Sequence, residues 1–305
     1  MRWLTVLLCV SAAAAQEPDL GDASLEQLLQ IRVSSASKKI QPLSQVPAAM
    51  HVITQDDIRR SGATSLLDIL RWVPGLEVAQ IDANKWAISS RGFNTRFANK
   101  MLVLMDGRSL YGVDFGGIFW DVLDTFLEDV ERIEVIRGPG ATMWGANAVN
   151  GVINIITKHS RETKGSIVQA GGGNRDFGTA QARFGFAAGR SGYARVYAKH
   201  VNRGAFPMDN TIGDDRWNST LGGFRSDWDL GRADRLTVQG DLYRNQRQLN
   251  TFLVSLHPPF QVNSGAGGAH GVSTQARWTH THQNLSQTAV QFYAEGHSHD
   301  DGLVL

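Results

Sequence analysis

The sequence predicts a small α+β unit followed by a run of antiparallel β-strands. Three observations carry this reading. Residues 46–158 mix one helical spacing of apolar residues with short apolar runs, and no helical period survives beyond about residue 164. From there on, segments of about ten residues alternate polar with apolar and end in Gly, Asn and Asp turns.

The chain of 305 residues opens on MRWLTVLLCVSAAAA, with Arg2, an apolar run from Trp3 to Val10, and Ala13 and Ala15 at the minus-three and minus-one places before Gln16. That is the pattern of a cleaved secretory signal over residues 1–15, too short to cross a bilayer as a helix. Cys9, the single cysteine, lies inside it behind Leu8, which argues against lipoprotein cleavage. The exported chain then holds no disulfide, and size, sheet and burial must hold it together. Removing Arg2 takes the 30 basic residues to 29, level with the 29 acidic ones. Such a balance gives no electrostatic case for nucleic acid. No run approaches about 18 apolar residues, so the product is periplasmic, extracellular, or an outer-membrane barrel whose alternating strands escape hydropathy.

Residues 16–45 precede the folded unit, and within them LEQLLQIRVSSASKK (25–39) passes from an amphipathic turn into an extended piece, IRVSSAS. Thr54 with Asp57 then reads as a helix N-cap with an acidic first turn, interrupted by Gly62. Leu66, Leu67, Ile69, Leu70 and Val73 follow at helical spacing until Pro74-Gly75 stops them. Two apolar runs come next: KMLVLMDG ends in Asp106-Gly107, where the Gly accepts positive φ, and VERIEVIRGPG closes on Gly-Pro-Gly.

The stretch RGPGATMWGANAVNGVINIITK (137–158) invites a phosphate-cradle reading and fails it. Gly140 and Gly145 have the Walker spacing but continue into Ala146-Asn147, without the Lys that phosphates need. The dinucleotide pattern fails at Met143, where a third Gly would stand. No Ser-His-Asp or paired-carboxylate set appears either, so an enzyme is not indicated.

Beyond residue 164, period-two runs fall at 165–172, 177–188, 192–202, 217–229, 235–244, 274–283 and 288–296. In the last two, Gln275, Arg277, Thr279 and Thr281 oppose Ala276 and Trp278, and Val290, Phe292 and Ala294 oppose Gln291, Tyr293 and Glu295. This pattern fits a barrel or a β-sandwich equally. His280 with His282, and His297 with His299, lie at i, i+2 on one strand face; scattered histidines at strand ends are commoner than metal ligands, and no metal site is expected.

Residues 46–158 resemble the plug of TonB-dependent outer-membrane receptors. The segments that carry the resemblance are VPAAMHVITQDDIRRSGATSLLDILRWVPGLEV, AISSRGFNTRFANKMLVLMDGRSLY and LEDVERIEVIRGPGATMWGANAVNGVINIITK. The resemblance implies an α+β plug domain (46–160) followed by antiparallel transmembrane β-barrel strands (161–305), and selects the barrel over the sandwich. It also implies that the glycines of 137–158 give tight turns and close backbone approach beside the barrel wall, that its asparagines cap those turns, and that Trp144 is a packing wedge. A cell outer-membrane receptor and transporter is implied, without cofactor or catalysis, importing a scarce solute, most plausibly by family a ferric siderophore. The alternative cargo is cobalamin or another nutrient, and the rival from another class is a secreted β-rich binding protein without transport. A TonB box is implied at Ile31, Arg32, Val33, Ser34, Ser35, Ala36 and Ser37, where an unpaired extended segment could add to the sheet of the TonB C-terminal domain.

Ligand contacts are expected from two loops rich in aromatic and Arg groups, FNTRFANK and YGVDFGGIFW, at Arg96, Phe97, Tyr111, Phe115 and Phe119. Arg91, Glu131, Glu134 and Arg137, charges within packed segments, are expected to pair with the barrel. After Lys158, 147 residues remain (305 minus 158). At ~9–11 residues for each crossing plus turns they make about seven or eight strands, whereas a plugged lumen belongs to barrels of about 22. The expectation is therefore an incomplete barrel: an open sheet with an unpaired edge after residue 299.

Overall fold

The computed structural model describes residues 32–33, 41–42, 45, 48–96, 98, 100–112, 116–145, 147–206, 215–254 and 260–300. The expected signal segment lies outside them. Near the N-terminus, β1 (Arg32–Val33) pairs antiparallel with β2 (Gln41–Pro42).

The α+β unit begins with β3 (Met50–Thr54). Thr54 then caps α1 (Gln55–Ser61): its hydroxyl accepts from the Asp57 amide and the Asp57 carboxylate accepts from the Thr54 amide, until Gly62 at φ 65° ends the helix. Helix α2 (Leu66–Leu70) is only five residues long, yet Leu66, Leu67, Ile69 and Leu70 are all buried. A helix that short is held by packing rather than by propensity. A hairpin of β4 (Leu76–Gln80) and β5 (Trp86–Ser90) follows. Next come β6 (Met101–Met105), β7 (Arg108–Ser109), β8 (Val130–Arg137), the short helix α3 (Ala141–Trp144) and β9 (Gly151–Thr157). The central sheet runs β3-β8-β9-β6-β7, with β6 and β9 parallel and the other neighbours antiparallel. Ile133, Val135, Ile153 and Ile155 of its middle strands are fully buried and join α2 in one core.

The loose backbone of 137–158 serves this sheet. Gly138 and Gly145 sit at φ 121° and 93°, and a Cβ on Gly151 would lie 2.3 Å from the Ile136 carbonyl. The close approaches are thus to the unit's own strands rather than to a barrel wall. Trp144 packs, partly buried, against the second apolar cluster of Leu102, Leu104, Ile136, Ala148 and Val152.

The second half is a seven-stranded antiparallel meander: β10 (Gly165–Gly171), β11 (Asp176–Ala188), β12 (Gly192–Arg203), β13 (Trp217–Asp229), β14 (Asp234–Val254), β15 (Phe260–Thr281) and β16 (Gln287–Asp300). The sheet is open, with β10 and β16 as its edges. Its alternation is inside out relative to a sandwich. On β12, Arg195, Lys199 and Arg203 are buried while Val196 is 46% exposed. Leu242, Val272 and Phe292 are likewise among the most exposed side chains. A sandwich buries its apolar face, so this sheet is of the transmembrane barrel type.

Register aligns the outward residues into rows. Thr220, Arg244 and His270 lie side by side, as do Gly222, Leu242 and Val272 below them, then Trp228, Leu236 and Trp278. The apolar rows end at the pair Asp234 and His280. Among the described residues no helix is long and apolar enough to cross a membrane, which leaves any crossing to strands.

Candidate functional site

The α+β unit meets the inward face of the wall through buried ion pairs. Asp129, at the end of a tight turn leading into β8, stands 3.4 Å from Arg183 and 3.0 Å from Arg195. Neither guanidinium Nε is aligned for a hydrogen bond to it. Burial therefore pushes the Asp129 carboxyl above its ordinary range, against the pull of Arg195 and Arg183. Arg195 also donates to the Thr157 hydroxyl at 3.0 Å. Asp124 takes the ammonium of Lys199 at 2.6 Å, and Lys199 donates further to the Thr64 carbonyl at 2.8 Å.

Asp121 pairs with Arg247, and its carbonyl accepts from Asn245 at 2.9 Å. The turn between β6 and β7, with Asp106 at φ 48° and Gly107 at φ 83°, brings Asp106 and Arg108 to the wall. Asp106 lies 3.5 Å from Arg225 and Arg108 bridges Asp241 at 3.3 Å and Glu295 at 3.0 Å. The unit thus docks mainly through carboxylates onto cations of β11 to β14, with the sign reversed at Arg108.

Two clefts border Phe119, one between the halves and one within the plug. The larger, open to solvent and about 780 Å³ in all, runs between Leu110, Ile118, Phe119 and Leu123 on one side and Leu221, Tyr243, Glu295 and His297 on the other, with Arg108 among its lining. The smaller is lined by Lys85, Trp86, Arg96, Phe119, Trp120 and Asp121. Phe119 stacks on His299 at 3.7 Å between ring centres and meets His297 edge-on at 5.8 Å.

Residues 42–152 match the TonB-dependent Receptor Plug Domain. The chain carries the plug domain of TonB-dependent receptors. Among curated proteins, it is 37% identical over 172 residues to the vitamin B12 transporter BtuB of Vibrio vulnificus (strain CMCP6), covering 56% of this chain and 26% of that one. With the BtuB of Vibrio cholerae it shares 31% over 219 residues, 70% of this chain and 34% of that one. The chain therefore spans about a quarter to a third of the length of these relatives. Its fold matches the ferripyoverdine receptor of Pseudomonas aeruginosa bound to ferripyoverdine, with TM-score 0.67 at 16% identity over 87% of this chain and 36% of that one. It also matches the alcaligin receptor FauA of Bordetella pertussis, with TM-score 0.64 at 18% identity over 88% and 42%.

Within the receptor, the residues expected to touch ligand divide. Arg96 and Phe119 share the smaller cleft, and Phe119 reaches the larger one as well. Tyr111 instead packs, half-buried, against both apolar clusters of the plug, and burial pushes its phenol up to about 12. Phe97 and Phe115 lie outside the described residues. So do Ile31, Ser34, Ser35, Ala36 and Ser37 of the expected TonB box; Arg32 and Val33 are paired with β2 rather than standing unpaired, with Val33 fully buried.

The four charges expected to bridge to the barrel make their described bonds inside the plug. Arg137 donates to the Pro74 carbonyl at 2.7 Å and Arg91 to the Arg137 carbonyl at 3.4 Å. Glu131 and Glu134 both engage Arg132, although Glu131 also lies within electrostatic reach of Arg225 on the wall. The physical reason is the strand period: side chains two apart share a face, so Glu134 finds Arg132 before it can find the wall. Among the described residues, the charges seen to bridge include Asp106, Arg108, Asp121, Asp124 and Asp129, which sequence reasoning missed. Two of their wall partners did leave a signal, the cations Arg195 and Lys199 spaced four apart on one face of β12.

Proposed function

We propose that the chain serves energised import of a scarce solute across the outer membrane, with a ferric siderophore as cargo and the TonB C-terminal domain as the partner that grips residues 31–37. The observation supporting this reading is a plug seated by buried ion pairs on the polar face of a sheet whose other face is apolar. A lumen filled in that way passes nothing until a directed force shifts the plug. Phe119 and Arg96, side by side at the plug surface, offer an aromatic face and a fixed cation to an anionic chelate. Cobalamin is the second cargo, favoured by the 37% identity to a vitamin B12 transporter.

The test is a deletion strain grown on single iron sources and assayed for uptake of radiolabelled cobalamin. Loss of growth on one ferric chelate, restored by the intact gene, is the expected result. Normal growth on every ferric chelate with cobalamin uptake lost moves the cargo to the second reading. Recovery of the protein in the soluble periplasmic fraction, rather than in outer membranes with heat-modifiable gel mobility, removes transport altogether in favour of a secreted binding protein.

A further inference from the structure

The inward face of β12 carries Arg195, Lys199 and Arg203, four residues apart, each with a side chain no more than 3% exposed. At about 3.3 Å per residue the three span roughly 26 Å of strand, or roughly 20 Å of height at a tilt of ~35–45°, most of a barrel's apolar band. Arg183 of β11 stands beside them, directly across from Tyr197.

The position of the counter-charges matters more than the cations themselves. Arg203 is paired with Asp176, which belongs to the wall. The carboxylates beside Arg183, Arg195 and Lys199 are Asp129 and Asp124, which belong to the plug. Any movement of the plug that clears a passage takes those carboxylates with it and leaves the three cations facing the lumen. Wall carboxylates do not replace them: Asp227 is held by Arg225 through two bonds of 2.9 and 3.0 Å, and Asp241 and Glu295 stand on β14 and β16. Arg247 of β14, whose partner Asp121 also belongs to the plug, is unmasked with them, so among the described residues the lumen then carries more released cations than the released carboxylates Asp241 and Glu295.

We infer that the β11–β12 face behind the plug is a cationic track, masked at rest and exposed when the plug moves, and that the cargo it serves is anionic. The inference rests on the transport reading above and narrows it, because a charged wall in a low-dielectric surround concentrates solutes of opposite sign and does nothing for an uncharged one.

Planar bilayers holding the purified full-length gene product test this, with urea added to loosen the plug and a potassium chloride gradient across the membrane. The reversal potential should show anion preference. Neutralising the pairs together, Arg183→Gln, Arg195→Gln and Lys199→Gln with Asp124→Asn and Asp129→Asn, should move it to the cation side. If that variant lacks heat-modifiable mobility, Lys199→Gln with Asp124→Asn should give a smaller shift of the same sign. Asp124→Asn alone keeps every cation and should leave selectivity as in the native protein. A cation-selective native pore, a reversal potential unmoved by neutralisation, or an equal shift from Asp124→Asn alone overturns the track. No urea-opened current at all overturns the transport reading and the track with it.

Discussion

Asp124 and Lys199 show how one pair can hold two folding units together. Lys199 is 1% exposed at its side chain and Asp124 12%, and the ammonium also donates to the Thr64 and Thr125 carbonyls. Removing the cation alone strands a carboxylate at a nearly dry interface, a loss of about 3–5 kcal/mol where a buried pair is broken from one side. Lys199→Met should therefore lower the urea concentration at which protease cuts the plug. Asp124→Asn should cost less, since an amide oxygen still accepts from Lys199. Combining Lys199→Met with Asp124→Asn should cost less than the sum, with a coupling of about 0.5–3 kcal/mol for residues in contact. Additive effects would mean that the 2.6 Å contact carries no docking energy.

At the scale of elements, the segments with a strong local period were legible and the long-range partners were not. The runs at 177–188, 192–202 and 217–229 match β11, β12 and β13 to within a residue, because alternation and the flanking turns act locally. β14 and β15 extend to 21 and 22 residues, about twice the runs read at 235–244 and 274–283. The interface carboxylates were hidden for another reason: Asp121 and Arg247 lie 126 residues apart, and neither one's neighbourhood announces the other. The N-terminal segment gives an element-scale prediction. Val33 is paired with Gln41, so strand addition to a partner must first open this two-residue ladder. Val33→Pro removes a main-chain donor and fixes φ, and should abolish energised uptake while ligand binding at the cell surface persists. Uptake at the normal rate would take residues 31–37 out of that role.

For the whole molecule, the outward rows make a claim about where the bilayer lies. From the row of Trp228 and Trp278 up to Thr220 and Arg244 is eight residues along β13, about 26 Å of strand and roughly 20 Å of height at a tilt of ~35–45°, most of the roughly 25 Å band of outer-membrane barrels. Tryptophans at one rim and Arg244 with His270 at the other fit the two water interfaces. The short turns at 189–191, 230–233 and 282–286 all lie at the tryptophan rim, the side that barrels of this type give to the periplasm. A charge placed inside the band should then cost far more than the same charge placed above it. Phe224→Arg, on a side chain 42% exposed and midway between the two rims on β13, should destabilise the folded barrel in lipid vesicles by about 2–4 kcal/mol. Gln246→Arg, on the outward face of β14 beyond the Arg244 rim, should cost about 0–1 kcal/mol, because there the guanidinium meets headgroups or water. Equal costs, or a larger one at position 246, would put the bilayer elsewhere and separate the exposed apolar rows from lipid.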